Sequence, residues 1–146
     1  MCENHDFFFE FDKAFTHQLI EKFESSPEHL LAADVAGPHK GVYALYRHHK
    51  IVYAGKALQT TLKRRLNEHA KKVQGRKNIR LSEMTCRYLV IGSDWFVRAG
   101  EHALIEAYTP LWNLSGFGSH VPGIGRPGIR VSRWDTQFPK KDPATR

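Results

Sequence analysis

Cysteine is scarce: Cys2 and Cys86 are the only two in the chain. They form no CxxC and no zinc-ligand spacing, which excludes a disulfide-stapled framework and leaves two free thiols. No apolar run approaches the roughly 20 residues of a membrane-spanning helix. The first residues are acidic and aromatic rather than basic and then apolar, so they do not read as a secretory signal. These absences predict a cytoplasmic protein with no membrane association. Repeats and low-complexity tracts are missing too. The nine histidines are scattered, and His48-His49 has no cysteine partner, which argues against a zinc protein.

What the chain does have is an uneven charge. Its formal net charge is +7, from 22 Lys and Arg against 15 Asp and Glu. Residues 1–34 carry eight acids and two bases, whereas residues 56–80 carry nine bases and one acid, Glu68. Residues 116–146 are again basic, with six bases and two acids. A one-sided basic surface suits a polyanion, because phosphate contacts supply most non-specific nucleic-acid affinity. A solvated surface of high isoelectric point is the plainer reading of the same pattern. With 146 residues, of which 41% are apolar, the chain can bury one core and form a single domain. Its segments are an acidic helical stretch at 1–40, a core at 41–113, and a Gly/Pro-rich basic arm at 114–146.

Periodicity places the elements. Residues 13–24 put Phe15, Leu19, Ile20 and Phe23 on one helical face, with Asp12 available as a cap. Ser26-Pro27 reads as the start of a short second helix holding Leu30 and Leu31. Residues 41–47 alternate, with Val42, Ala44 and Tyr46 on one face and Tyr43, Leu45 and Arg47 on the other. Residues 51–55 make a second strand, joined to the first as a hairpin. Residues 60–72 suit a helix capped by Thr60 or Thr61 and closed near Gly75. Residues 84–91 form a third strand. A helix from Ser93 or Asp94 to about Tyr108 carries Phe96, Ala99, Ala103, Leu104 and Ala107 as its apolar stripe, and Thr109-Pro110 ends it. The expected fold is α/β (α+β): a small, mainly antiparallel three-stranded sheet flanked by helices.

Several polar residues sit where this framework does not need them. Gly41-Val42-Tyr43 in the first strand is followed by Tyr53-Ala54-Gly55-Lys56 in the second. Arg65 and His69 are i and i+4 on the next helix and share a face, whereas Arg64 points away from His69. Glu101 lies beside Gly100 on the last helix, and Glu106 is its competitor on a more solvated face. Asn113 comes just after the helix stop. Taken in order, GVYALY, VYAGKA, RL..H, CRYLV, E..LI..Y.PLWN and GFG.H.PG.GR resemble the GIY-YIG nucleases, and most closely their type II restriction branch, typified by enzymes that cut CCGCGG. The resemblance runs from about Gly37 to Trp134. Two departures stand out. Ala54 replaces the central Ile of the second signature, and the hairpin between the tyrosine strands is tight where those relatives carry an insertion that contributes to dimer and DNA contacts.

The resemblance implies a metal-dependent DNA endonuclease with Tyr43, Tyr53, Lys56, Arg65, His69, Glu101 and Asn113 as site residues. Glu101 would be the single protein ligand of a Mg²⁺ ion, with Mn²⁺ as a substitute, because Mg²⁺ keeps much of its hydration shell. Arg65 would offer its planar fork to phosphate oxygens. Tyr43 would act as general base or base relay towards the attacking water, with His69 accepting its proton and Lys56 assisting. A phenol titrating near ~10 is otherwise a poor base at neutral pH. Tyr53 would position water or phosphate. Lys63, Arg64, Lys71, Lys72, Arg76 and Lys77 on and after the basic helix are candidate DNA contacts. So are His120, Arg126, Arg130, Arg133 and Lys140 of the arm, with Phe117 and Trp134 beside them. Implied partners are double-stranded DNA, a second copy of the chain and a cognate DNA methyltransferase. A structure- or single-strand-specific repair nuclease shares the core and differs only in DNA recognition. An inert nucleic-acid-binding module would need neither Glu101 nor the ordered set.

Overall fold

The computed structural model describes residues 5–118 and 132–142. A four-stranded antiparallel sheet runs in the order β1-β4-β2-β3, from β1 (His29–Leu30), β2 (Gly41–Arg47), β3 (Lys50–Ala57) and β4 (Met84–Val90). The helices are α1 (Phe11–Ser25), α2 (Leu62–Gln74), α3 (Asp94–Tyr108) and α4 (Arg133–Gln137). The expected α+β class and antiparallel sheet are present, with four strands rather than three. The extra strand lies where the sequence predicts a second helix. After Ser26-Pro27 the chain pairs His29 with Cys86 and Leu30 with Thr85, then makes a 3₁₀ turn over Leu31–Ala33. Pairing with the edge of β4 outweighs the local helix signal of Ser-Pro.

Each face of the sheet is covered. Val42, Ala44, Tyr46 and Ala54 pack under α1 and α3 with Leu19, Phe23, Val97, Ala103 and Leu104. Tyr43, Leu45, Tyr53 and Ala57 pack under α2 with Leu62, Leu66 and Val73, and with Trp112, Phe117, Trp134 and Phe138. The alternation read along residues 41–47 therefore divides the two cores. On α3 the buried stripe is Val97, Gly100, Ala103 and Leu104. Phe96 and Ala107, expected in it, are exposed, one step round the helix from the true contact line. Among the described residues no helix is long and apolar enough to cross a membrane.

The ends of the elements obey local chemistry. Thr61 caps α2 by accepting from the Arg64 N–H, and Gly75 closes it. Ser93 caps α3 by accepting from the Phe96 N–H, and Thr109 leaves in the left-handed region at φ 41°. Asp12 is no cap: α1 begins after Glu10 without a side-chain cap. The hairpin turns on His48 and His49 alone, both at positive φ (51° and 63°), as a type I′ turn requires. The Glu28 carboxylate lies 2.7 Å from His49 Nδ1, and the Glu83 carbonyl accepts the His48 N–H at 3.1 Å. These contacts hold two non-glycine residues in that region.

The hairpin also carries a bulge, which decides where Tyr53 points. Tyr46 pairs with Ile51, but Leu45 pairs with Tyr53, so Val52 is the extra residue. Without it Tyr53 would lie opposite Ala44 and face the other core. The bulge turns it to the side of Tyr43, because one residue of slip reverses every side chain beyond it.

Candidate active site

The register brings Tyr43 opposite Gly55 on the central and edge strands. A Cβ on Gly55 would lie 2.6 Å from the Tyr43 hydroxyl and 3.0 Å from the Tyr53 ring. Only the missing side chain leaves room for the phenol. The Tyr43 and Tyr53 rings then stand 6.2 Å apart. From α2, His69 places Nε2 2.6 Å from the Tyr43 hydroxyl. Arg65, one turn earlier, hydrogen-bonds both phenols and reaches Glu68 at 3.3 Å. The Tyr43 hydroxyl and His69 Nε2 share one hydrogen bond, whose donor is set by the imidazole tautomer.

The two arginines separate as the helical spacing requires. The Arg65 side chain is 16% exposed and faces the tyrosines, whereas that of Arg64 is 75% exposed and pairs with Glu68 on the helix surface. His69 is fully buried, and so is Phe117, whose ring stacks on it at 4.9 Å with its edge towards Tyr53 at 5.0 Å. Phe117 escapes sequence reasoning as a site neighbour. Its only signal is its place in Gly116-Phe117-Gly118, where a bulky ring between two glycines has to go somewhere.

Burial sets the electrostatics. It pushes the Tyr43 phenol far above the ordinary tyrosine range. Tyr53 and Glu101 add to that push, and Arg65 opposes it. Tyr53 is raised for the same reason, again against Arg65. Partial burial alone would lower the Arg65 guanidinium, but Tyr43, Tyr53 and Glu68 outweigh it and hold the group above its usual value. The phenols are therefore neutral hydrogen-bonding groups at physiological pH, and neither is a resident phenolate.

Glu101 approaches from α3. Gly100 allows this: a Cβ there would lie 3.2 Å from Val42 Cγ1, so the helix rests close against β2. The Glu101 Oε1 accepts from the Lys56 ammonium of β3 at 2.8 Å. Glu106 sits on the outer face of the same helix and pairs with His102. Among the described residues no group of three or more His, Cys, Asp or Glu is placed to hold a metal. Glu101 is the carboxylate whose charge acts on both phenols.

Asn113 does something its position in the sequence does not announce. Its carboxamide accepts from the Ala54 N–H at 2.9 Å and donates to the Ala54 carbonyl at 2.8 Å. Both backbone polar groups of the residue between Tyr53 and Gly55 are thus taken up on the free edge of β3.

The basic residues divide into two groups. Lys63, Arg64, Lys71 and Lys77 are exposed, as is Arg133 at the start of α4. Arg76 is buried instead, with its guanidinium bound to Asp135 at 2.7 Å and to the Phe138 carbonyl at 3.0 Å, stacked on Trp134. Lys72 donates to the Phe117 carbonyl and lies over Phe117 and Trp134. These two cations bind the C-terminal segment to α2, where the sequence suggests DNA contacts. Phe117 and Trp134, expected on an exposed arm, are fully buried core residues. Ser132 and Asp135 form a capping box that starts α4, and Trp134 and Phe138 anchor it against Trp112. Lys140 is exposed and bridges to Arg76 through the backbone. His120, Arg126 and Arg130 lie outside the described residues, as does Cys2. Cys86 is a free, buried thiol whose pKa burial pushes up to about 11, so it is no nucleophile.

No curated protein matches the chain. A family model does: that of the Eco29kI GIY-YIG domain, over residues 50–146, about two thirds of the chain. The match takes in Tyr53, Arg65, His69, Glu101 and Asn113. The Gly41-Val42-Tyr43 strand precedes it, and the sheet register and the His69 contact join that strand to the same site. On the matched length and the geometry together, the chain belongs to the Eco29kI GIY-YIG family of restriction endonucleases, which makes it a DNA endonuclease.

Proposed function

We propose that this chain hydrolyses double-stranded DNA at specific sites with a divalent metal, Mg²⁺ in the first instance. The observation that carries the reading is the closed cluster of Tyr43, His69, Arg65 and Tyr53 with the Lys56–Glu101 pair beside it. A DNA-binding surface alone needs no buried Tyr-His hydrogen bond and no carboxylate on its phosphate-facing side. Glu101 fits a hydrated Mg²⁺, because a single carboxylate and waters are a common set for that ion. The lysine ammonium already rests where a cation is favoured. When bound, the metal would supply Lewis-acid polarisation of the phosphate and help for the leaving oxygen.

The side chains divide the remaining work. Arg65 holds its guanidinium in fixed hydrogen bonds to two phenols and can extend the same planar fork to a phosphate oxygen, stabilising charge that builds in the transition state. Tyr43 is fully buried and its phenol strongly resists ionisation. That supports a relay over a free base: as the attacking water loses its proton towards Tyr43, the Tyr43 proton passes to His69. Phe117 keeps bulk water from His69, so the imidazole exchanges its proton through Tyr43. Tyr53 lies at the edge of the cluster and positions water or phosphate. Asn113 acts through the backbone, by holding Ala54.

Lys63, Arg64, Lys71, Lys77 and Arg133 are the exposed cations proposed to track the DNA backbone. His120, Arg126 and Arg130 are proposed to read the site, since Arg is the usual reader of guanine. Their segment is joined to the fold next to the catalytic cluster. It departs after Gly118, adjacent to the Phe117 cover of His69, and returns at Ser132, beside Gly116. A dimer would match a palindromic site and cut both strands.

The test is incubation of purified protein with unmethylated plasmid and phage DNA in Mg²⁺ or in EDTA, with sequencing of the ends. Discrete Mg²⁺-dependent fragments with a shared terminal sequence are expected. Smeared or nicked products would replace site specificity with structure-dependent or non-specific cleavage. Cleavage in EDTA would remove the metal from the mechanism.

A further inference from the structure

Lys56 and Glu101 stand on different layers of the fold, the edge strand β3 and the helix α3, and meet at 2.8 Å. Their side chains are 37% and 24% exposed. A partly exposed pair of this kind contributes little to stability, so fold maintenance is a weak reason for it. Two features give it another meaning. Glu101 is the carboxylate assigned to the metal, and its Oε1 carries a cation already. The other cation of the site, Arg65, is held by Tyr43, Tyr53 and Glu68. Lysine is suited to a changing position, as a point charge on a flexible four-carbon stem, whereas the arginine fork is fixed in its plane.

We infer that Lys56 is a built-in occupant of the metal position: its ammonium holds Glu101 while no divalent ion is bound, is displaced when one enters, and then contacts the phosphate of bound DNA. The inference rests on the assignment of Glu101 to the metal. Its physics is competition for one carboxylate oxygen. Without metal, lysine and glutamate neutralise one another and the site offers phosphate little attraction. With metal, Glu101 is taken up by the ion and Lys56 becomes an unpaired cation on the open side of the cluster. Metal and DNA therefore favour each other's binding, and the coupling is reciprocal. The arrangement keeps phosphate contact by Lys56 for the metal-loaded enzyme and so discourages idle engagement of DNA.

Three measurements on the full chain test this. The first is Mn²⁺ binding, read from the loss of the free-ion electron paramagnetic resonance signal, for the parent, Lys56→Met, Lys63→Met and Glu101→Gln. Lys56→Met should bind Mn²⁺ at least about fivefold more tightly, Lys63→Met as the parent does, and Glu101→Gln very weakly. The second is a Mg²⁺ titration of the unmutated protein, read from the nuclear magnetic resonance signals of the lysine side-chain ammonium groups, which needs no variant to fold. The Lys56 signal should shift on metal addition while the other lysines stay in place. A carboxylate signal of Glu101 that moves with Lys56 unmoved would show metal joining an intact ion pair and overturn the inference. The third is the salt dependence of binding to a labelled duplex, in EDTA and with Ca²⁺. The parent and Lys56→Met should have equal slopes of log K against log salt in EDTA. With Ca²⁺ the parent slope should be steeper by about one phosphate contact, roughly 0.9. Equal slopes in both conditions, or unequal slopes in EDTA, would overturn the release of Lys56 to phosphate. If Glu101→Gln bound Mn²⁺ as the parent does, the metal assignment itself would fall, a result distinct from failure of the lysine exchange.

Discussion

Asn113 and Ala54 form a closed pair of hydrogen bonds, carboxamide to peptide, on the outer edge of β3. The side chain takes the place that a neighbouring strand would fill. It fixes the backbone between Tyr53 and Gly55, the two residues that shape the pocket around the Tyr43 hydroxyl. Asn113→Ala should cost about 1–3 kcal/mol of unfolding free energy, because two backbone groups lose their partner. Asn113→Asp should be worse than its similar shape suggests, since it sets a carboxylate against the Ala54 carbonyl. Urea denaturation beside a cleavage assay checks both. Lost cleavage with unchanged stability would instead put Asn113 in contact with the reacting groups.

Gly55→Ala places a methyl 2.6 Å from the Tyr43 oxygen. The phenol is buried between Tyr53, His69 and Arg65, so the clash cannot be relieved by one rotamer change. Cleavage should fall by about 10²-fold or more, the usual scale of misplacing a catalytic group, with a cost in stability of about 1–3 kcal/mol from overpacking. Full activity in this variant would mean that the position of Tyr43 is not critical.

Tyr43→Phe removes the hydroxyl and keeps the ring. The fold should persist, and turnover should drop by about 10²- to 10⁴-fold, the range of general acid–base contributions. His69→Ala should resemble it, and the double variant should lose little more, because the two groups act as one relay. Additive losses in single-turnover cleavage would show separate roles.

The basic residues should separate by function. Lys63→Ala and Lys71→Ala, both exposed, should weaken DNA binding and lower the salt slope by about 0.9 each without moving the melting temperature. Arg76→Ala should do the reverse. It removes the partner of the Phe138 carbonyl and one of the partners of the half-buried Asp135 carboxylate, and should cost about 1–3 kcal/mol.

The Arg76–Asp135 contact also carries a pH dependence. Burial raises the Asp135 carboxyl, but hydrogen bonds from Ser132 and the Arg76 guanidinium outweigh it, and the group titrates below its ordinary range. Its contribution is complete above the unfolded value of about 3.9 and is lost as pH falls through the lower folded value. Trp134 fluorescence should report α4 loosening in that acid window, and Asp135→Asn should be less stable at neutral pH and flat across it. A parent protein with no fluorescence change there would detach Asp135 from α4 docking.

Much of this arrangement is visible in residue order. Periodicity alone assigns the two faces of β2, because each inward residue faces a core on its own side. The 100° step of a helix separates Arg65 from Arg64. Other features depend on contacts distant in sequence. The bulge at Val52 leaves no mark in composition, since it is the partner strand that reveals the extra residue. Spacing singles out Asn113 but does not reveal its bond to Ala54, because it cannot tell a group that touches substrate from one that holds the backbone behind it. Lys72 and Arg76 look like DNA contacts because they belong to a basic run, and Trp134 looks like part of a free arm because a Gly-rich stretch precedes it. The aromatic core that receives α4 is assembled from Trp112, Phe117, Trp134 and Phe138, and no short window contains all four.

The close meeting of Gly116 and Ser132 has an evolutionary consequence. A Cβ on Gly116, which adopts φ +87°, would lie 2.5 Å from the Ser132 Cβ, and the Trp134 N–H donates to the Ser115 carbonyl at 3.0 Å. Gly116 and Ser132 are thus held side by side, and that junction is secured by residues on both sides of it. A loop with fixed ends can change length cheaply, since each doubling adds only about 0.6 kcal/mol of closure entropy. Changes in the length of chain between these two anchor points therefore cost little, while the paired ends keep α4 docked on Trp112. The residues that join Gly118 to Ser132 are thus free to vary over evolutionary time without loosening the aromatic core on either side of the junction.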